Sequence, residues 1–128
     1  MSYYFSKKVK GSFDEVEKKV YESLKEEGFG VLTEIDVQDT LKKKLDVEFR
    51  KYKILGACNP SFAYRALLAE DKIGIMLPCN VIIQETDAGE VAVAAVDPIA
   101  SMSAVENESL HEIAVIVQTK LKSVVDAL

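Results

Sequence analysis

Apolar positions recur along this chain with two different periods, and each period marks a kind of element. Phe13, Val16, Val20 and Leu24 repeat at three and four residues, laying one apolar stripe along a helix whose other faces are Asp, Glu and Lys. Ser12-Phe13-Asp14-Glu15 at its start has the pattern of a capping box, in which serine and glutamate side chains each take an otherwise unpaired N–H. Gly28 supplies the stop. The clearest helix is the last. Leu110, Ile113, Ala114, Val117, Leu121, Val124, Val125 and Leu128 fall on one face, as in a helix laid on a core. Its start is signalled twice, by the capping-box pattern Ser103-Ala104-Val105-Glu106 and by Asn107. Two shorter helices lie between. One carries Val37, Leu41 and Leu45 after a cap at Asp36 or Asp39. The other opens at Asn59-Pro60, because asparagine caps well and proline is tolerated at the first helical position. Its buried stripe would be Phe62, Ala63, Ala66 and Leu67.

Runs of β-branched and aromatic residues predict strands over residues 3–9, 31–35 and 49–57. Residues 73–83 form a longer apolar run, broken by Gly74 and Pro78. Proline removes a ladder donor, so an edge position or a bulge is expected there. Asp87-Ala88-Gly89 is a turn, which makes a hairpin of residues 84–96, and Asp97-Pro98 ends it. The order β-α-β-α-β-α-β-β-α predicts an α+β protein, a mainly antiparallel sheet with helices packed on one face. No repeat or linker divides it, and residues 1–128 read as a single domain.

Composition agrees and closes some options. A chain of 128 residues, 48% hydrophobic and 29% charged, suits one soluble core. Net charge is −5 and the sixteen Lys and Arg are dispersed, so nucleic acid is not an expected partner. The run Lys42-Lys43-Lys44 reads as a solvated face near a helix C-terminus, where cations favour the dipole. The opening MSYYFSKKVKG lacks a signal-peptide pattern, and no apolar run is long enough to span a bilayer. The expectation is a cytoplasmic protein with no membrane partner. Gly28-Phe29-Gly30 lacks the third glycine of a dinucleotide loop, and neither a P-loop nor a G-x-S-x-G elbow is present. No cofactor is implied, and a single histidine leaves little room for a Ser-His-Asp arrangement.

The candidate chemistry centres on two cysteines. Cys58-Asn59-Pro60 and Pro78-Cys79-Asn80 are near mirror images in residue type. If the third and fourth strands are neighbours, the two sulfurs approach one another. Cys58 would lie beside a helix start, whose partial positive charge lowers a nearby thiol pKa. One reading is then a thiol pair that cycles between reduced and disulfide forms, or a nucleophile at Cys58 with Cys79 as resolving partner. The other is two small buried hydrophobes, favoured because no C-x-x-C spacing occurs. Metal candidates are Cys58, Cys79, His111 and Asp97, but none falls at a paired ligand spacing, so no metal site is assigned. Asn80 sits in an otherwise apolar strand, and a buried amide without partners costs about 1–3 kcal/mol. Asn59 and Asn80 therefore either tie down local backbone, as a cap and across a bulge, or offer donors to a ligand in a small pocket.

Four blocks in order resemble one family: residues 28–37 (GFGVLTEIDV), 52–60 (YKILGACNP), 74–81 (GIMLPCNV) and Asp97-Pro98. The chain is similar, over nearly its whole length, to the domain-of-unknown-function family numbered 302. The resemblance implies a small α+β domain of bacteria and archaea, a homodimer, with no settled activity and no established catalytic residues. The residues themselves add a second pointer to self-association, since the apolar run 74–83 on an edge, with Tyr3, Tyr4 and Phe5, would pair with another chain. The sequence thus predicts a homodimeric binding or interaction module for a small-molecule ligand, with Cys58, Asn59, Cys79 and Asn80 at its site. The alternative is a thiol-dependent redox enzyme or sensor using Cys58 and Cys79.

Overall fold

The computed structural model describes residues 2–128. Five strands, β1 (Tyr4–Val9), β2 (Gly30–Asp36), β3 (Tyr52–Cys58), β4 (Cys79–Glu85) and β5 (Val91–Val96), form one sheet in the spatial order β1-β5-β4-β3-β2. Every neighbouring pair is antiparallel. The helices are α1 (Phe13–Glu26), α2 (Val37–Leu45), α3 (Pro60–Ala69), α4 (Pro98–Ser101) and α5 (Glu108–Asp126), with a 3-10 turn over Asp71–Met76. The architecture is the α+β arrangement that the alternation of periods predicts. No helix among the described residues is long and apolar enough to cross a membrane.

The core lies between the sheet and the two long helices. Alternation along the strands sends Leu55, Val81, Ile83, Val91, Val93 and Ala95 to one face, all buried. The stripes of α1 and α5 cover them: Val16, Val20, Leu110, Leu121 and Val124 have no exposed surface. Each such side chain contributes roughly 1.5–3 kcal/mol by leaving water. The capping box forms as its sequence requires. Ser12 Oγ accepts from the Glu15 N–H at 3.2 Å, and the Glu15 carboxylate accepts from the Ser12 N–H at 3.3 Å. Of the two starts offered for the last helix, Asn107 is the one used, its Oδ1 accepting from the Leu110 N–H.

The segment 73–83 departs from expectation. Its first part is the 3-10 turn, and strand geometry begins only at Cys79. β4 is no edge; it lies between β3 and β5, and the edges are β1 and β2. Pro78 stands just ahead of the strand, where no ladder bond is asked of its nitrogen, so an interior strand tolerates it. An apolar run of this length reads equally as strand or as buried helix, and Ile73 is the one residue of the 3-10 turn that is buried. The edge motive for self-association therefore falls for residues 74–83, while Tyr4 and Phe5 do lie on an edge strand, β1.

A different apolar surface takes its place. The face of the sheet turned away from α1 and α5 is partly open, and α2, which touches β2 and β3, buries none of its residues. Register aligns Ser6, Ala94, Ile82, Ile54 and Ile35 in one row across all five strands. Ile35 is 48% exposed, and Ile82 and Ile54 are half-buried. Tyr4, beside Val96 on the same face, is also exposed.

Candidate functional site

Ala57 of β3 pairs directly with Cys79 of β4. Cys58 is the last residue of β3 and Cys79 the first of β4, so the chain leaves the sheet at one and returns at the other. The two Cys-Asn segments are thus the two ends of a single excursion, residues 59–78, which contains α3 and the 3-10 turn. Between this excursion, α5 and the ends of β3 and β4 lies a cavity of about 320 Å³. Phe62, Ala63, Ala66 and Leu67 of α3 wall one side. Leu110, Ile113, Ala114 and Val117 of α5 wall the other, and Phe29, Met102 and Leu77 close it. Among the polar residues, Cys58, Asn59 and Cys79 line it, and no charged side chain does.

The structure brings together three of the four residues singled out by the sequence. Asn80 is not with them. It is exposed, paired with Gly56 on the opposite face of β4, because successive strand residues point to opposite sides. The expectation of a buried amide there is corrected: its neighbours in sequence are apolar, but only alternate ones share the core face. Asn59 occupies the cap position of α3, yet its side chain makes no cap bond. Its Nδ2 instead donates to Glu27 O across the α1–β2 turn at a long 3.4 Å. Gly28, at φ +86°, brings that turn close: a Cβ there would stand 3.1 Å from Asn59 Nδ2.

The thiols also differ from the helix-start expectation. Burial pushes the Cys58 thiol up. Burial first, and the neighbouring Cys58 second, push Cys79 up to about 11. Desolvation of a thiolate in an apolar wall outweighs the partial charge of the helix start. Both cysteines are free. The remaining metal candidates lie elsewhere. His111 is exposed on α5. Asp97 caps α4 through the Ile99 N–H and accepts from Gln118 Nε2 at 3.1 and 3.2 Å. Among the described residues no three His, Cys, Asp or Glu gather as a metal set.

A second polar cluster was not legible in the sequence. Lys53 of β3 donates to Glu17 Oε2 and pairs with Glu34 Oε1, both at 2.9 Å, while Tyr21 O–H donates to Glu34 Oε2 at 2.6 Å. Burial, then the bond to Glu34, pushes the Tyr21 phenol up to about 12, and hydrogen bonds from Tyr21 and Lys53 hold Glu34 low. Its members come from α1, β2 and β3, so only the folded register assembles it. Every partner is satisfied within the cluster, which ties α1 to the sheet.

The family model described as "Domain of unknown function DUF302" matches residues 5–128. The crystal structure of an uncharacterized conserved protein DUF302 from Bacillus stearothermophilus has the same fold, with a TM-score of 0.91 at 28% identity, over 98% of this chain and 98% of that one. Comparison with curated proteins gives no match.

Proposed function

The chain belongs to the DUF302 family, and on that premise we propose that it is a homodimeric module that binds a small apolar molecule in the cavity between α3 and α5. The supporting observation is the convergence of Cys58, Asn59 and Cys79 on one cavity whose remaining walls are aliphatic and aromatic. A pocket of about 320 Å³ is at the small end of ligand sites. An apolar cavity of about 150 Å³ takes one benzene, so this one suits a body of roughly ten to twelve carbon atoms. With no charged side chain in the wall, a buried carboxylate would lack a counter-ion, which costs heavily. The ligand's polar end is therefore neutral, an alcohol, aldehyde or amide, and Asn59 is the group placed to meet it.

The open row Ile82, Ile54 and Ile35 supports pairing with a second copy, since a two-fold interface must be self-complementary and this row carries no charge. The thiol-redox alternative draws less support, because burial keeps both thiols protonated at neutral pH.

The test is calorimetric titration at pH 7. 1-Decanol should bind about tenfold more tightly than decanoate. Ala63→Phe, which places a ring into the cavity from α3, should abolish binding of both. Equal affinity for the two ligands would remove the neutral-head assignment, and undiminished binding by Ala63→Phe would remove the cavity.

A further inference from the structure

We propose that residues 60–77 form a lid over the cavity, latched at its far end by the side-chain amide of Asn107. The purpose assigned to the lid rests on the cavity reading above; its geometry does not. Both ends of the excursion meet the sheet at one neck, where Ala57 and Cys79 pair. Phe62, Ala63, Ala66, Leu67 and Leu77 of this segment line the cavity, so its outward movement would widen the way in. Its anchorage is thin. Ala66 and Ile73 are its only buried side chains, while Tyr64, Leu68 and Ile75 are 65%, 70% and 80% exposed. α3 rests mainly on α5 and on the 3-10 turn rather than on a strand. Segments with so few buried apolar contacts open at a fraction of the global unfolding free energy.

Apart from the helical bond from the Ala63 N–H to Asn59 O, hydrogen bonds from this segment to the rest of the described residues come down to one side chain. Asn107 Nδ2 donates to Ala69 O at 2.8 Å and lies 3.4 Å from Glu70 Oε1, at the bend between α3 and the 3-10 turn. The backbone bonds of residues 60–77 outside α3 close within the excursion itself. The same asparagine caps α5 through its Oδ1, which accepts from the Leu110 N–H at 3.2 Å. One side chain thus fixes the start of α5 and holds the lid to it.

That double role gives a selective variant. Asn107→Asp keeps the cap, since a carboxylate oxygen accepts the Leu110 N–H and suits a helix start. It removes the donor to Ala69 O and sets a negative charge against Glu70. Two readouts are taken: hydrogen–deuterium exchange on the free protein, and stopped-flow association of the apolar fluorophore N-phenyl-1-naphthylamine. In the unsubstituted protein, amides of α3 and the 3-10 turn should exchange faster than those of α5 and β3–β5. In Asn107→Asp they should exchange about five- to tenfold faster again, with α5 and the sheet unchanged and probe association faster by a similar factor. Exchange of α3 together with the sheet, or no change in the variant, overturns the lid. A probe that never binds removes the cavity reading instead, and the exchange data still decide the lid.

Discussion

Cys79 has 8% of its surface exposed and faces an apolar cavity, and Cys58 beside it is half-buried. Each thiolate would have to form out of water, so both thiols are weaker acids than free cysteine. Only the thiolate attacks a disulfide reagent. At pH 7 the native protein should therefore react slowly, with Cys58 ahead of Cys79. The Cys79 rate should keep climbing past pH 9 and level off only near 11. Thiol titration against pH checks this, and a plateau at pH 6 to 7 would show a thiolate the structure does not stabilise. From the sequence the two cysteines approach one another only if their strands are neighbours, and the β3–β4 register supplies that condition. Of the two readings the sequence left for Cys58, the structure favours the buried thiol over the one activated by a helix start, because the helix start can be read locally whereas burial depends on what the rest of the chain packs around the sulfur. Asn107 shows the same limit. Its cap to Leu110 lies within three residues and was legible; its bond to Ala69 spans 38 positions and was not.

At the scale of elements, α1 and α5 were legible almost to the residue, because stripe and cap are both local, whereas of the stripe expected for α3 (Phe62, Ala63, Ala66 and Leu67) only Ala66 is buried and none of the α2 stripe is. The run 73–83 was not legible, since an apolar stretch is compatible with a strand and with a buried turn alike. In the fold, Pro78 at the end of the turn and Thr33 of β2 pack closely over Gly56 of β3. A Cβ on Gly56 would lie 2.2 Å from Thr33 Oγ1 and 2.7 Å from Pro78 Cγ. Gly56→Ala should therefore destabilise the protein by about 1–3 kcal/mol, the usual cost of forcing atoms into filled space. Denaturant unfolding checks it, and a change below 0.5 kcal/mol would mean that β2 and the Pro78 turn adapt freely. The excursion between Cys58 and Cys79 is anchored differently from the sheet it leaves, and this contrast in burial lets one element move while the others stay.

At the scale of the whole molecule, one face of the sheet is covered by α1 and α5, and the other offers an isoleucine row. Light scattering at micromolar concentration should give the mass of two chains, and Ile82→Lys, which charges the middle of that row, should give the mass of one. A monomeric parent protein would leave the open face without the role assigned to it. The covered face holds the cavity, so the ligand site and the pairing surface proposed above lie on opposite sides of one sheet. The most direct test of the central claim separates those two sides. Methyl-labelled protein titrated with 1-decanol and followed by NMR should show saturable shifts at Leu67, Leu110, Ile113 and Val117, with Ile54 and Ile82 unmoved. Shifts on the isoleucine row alone, or none that saturate, would contradict the account.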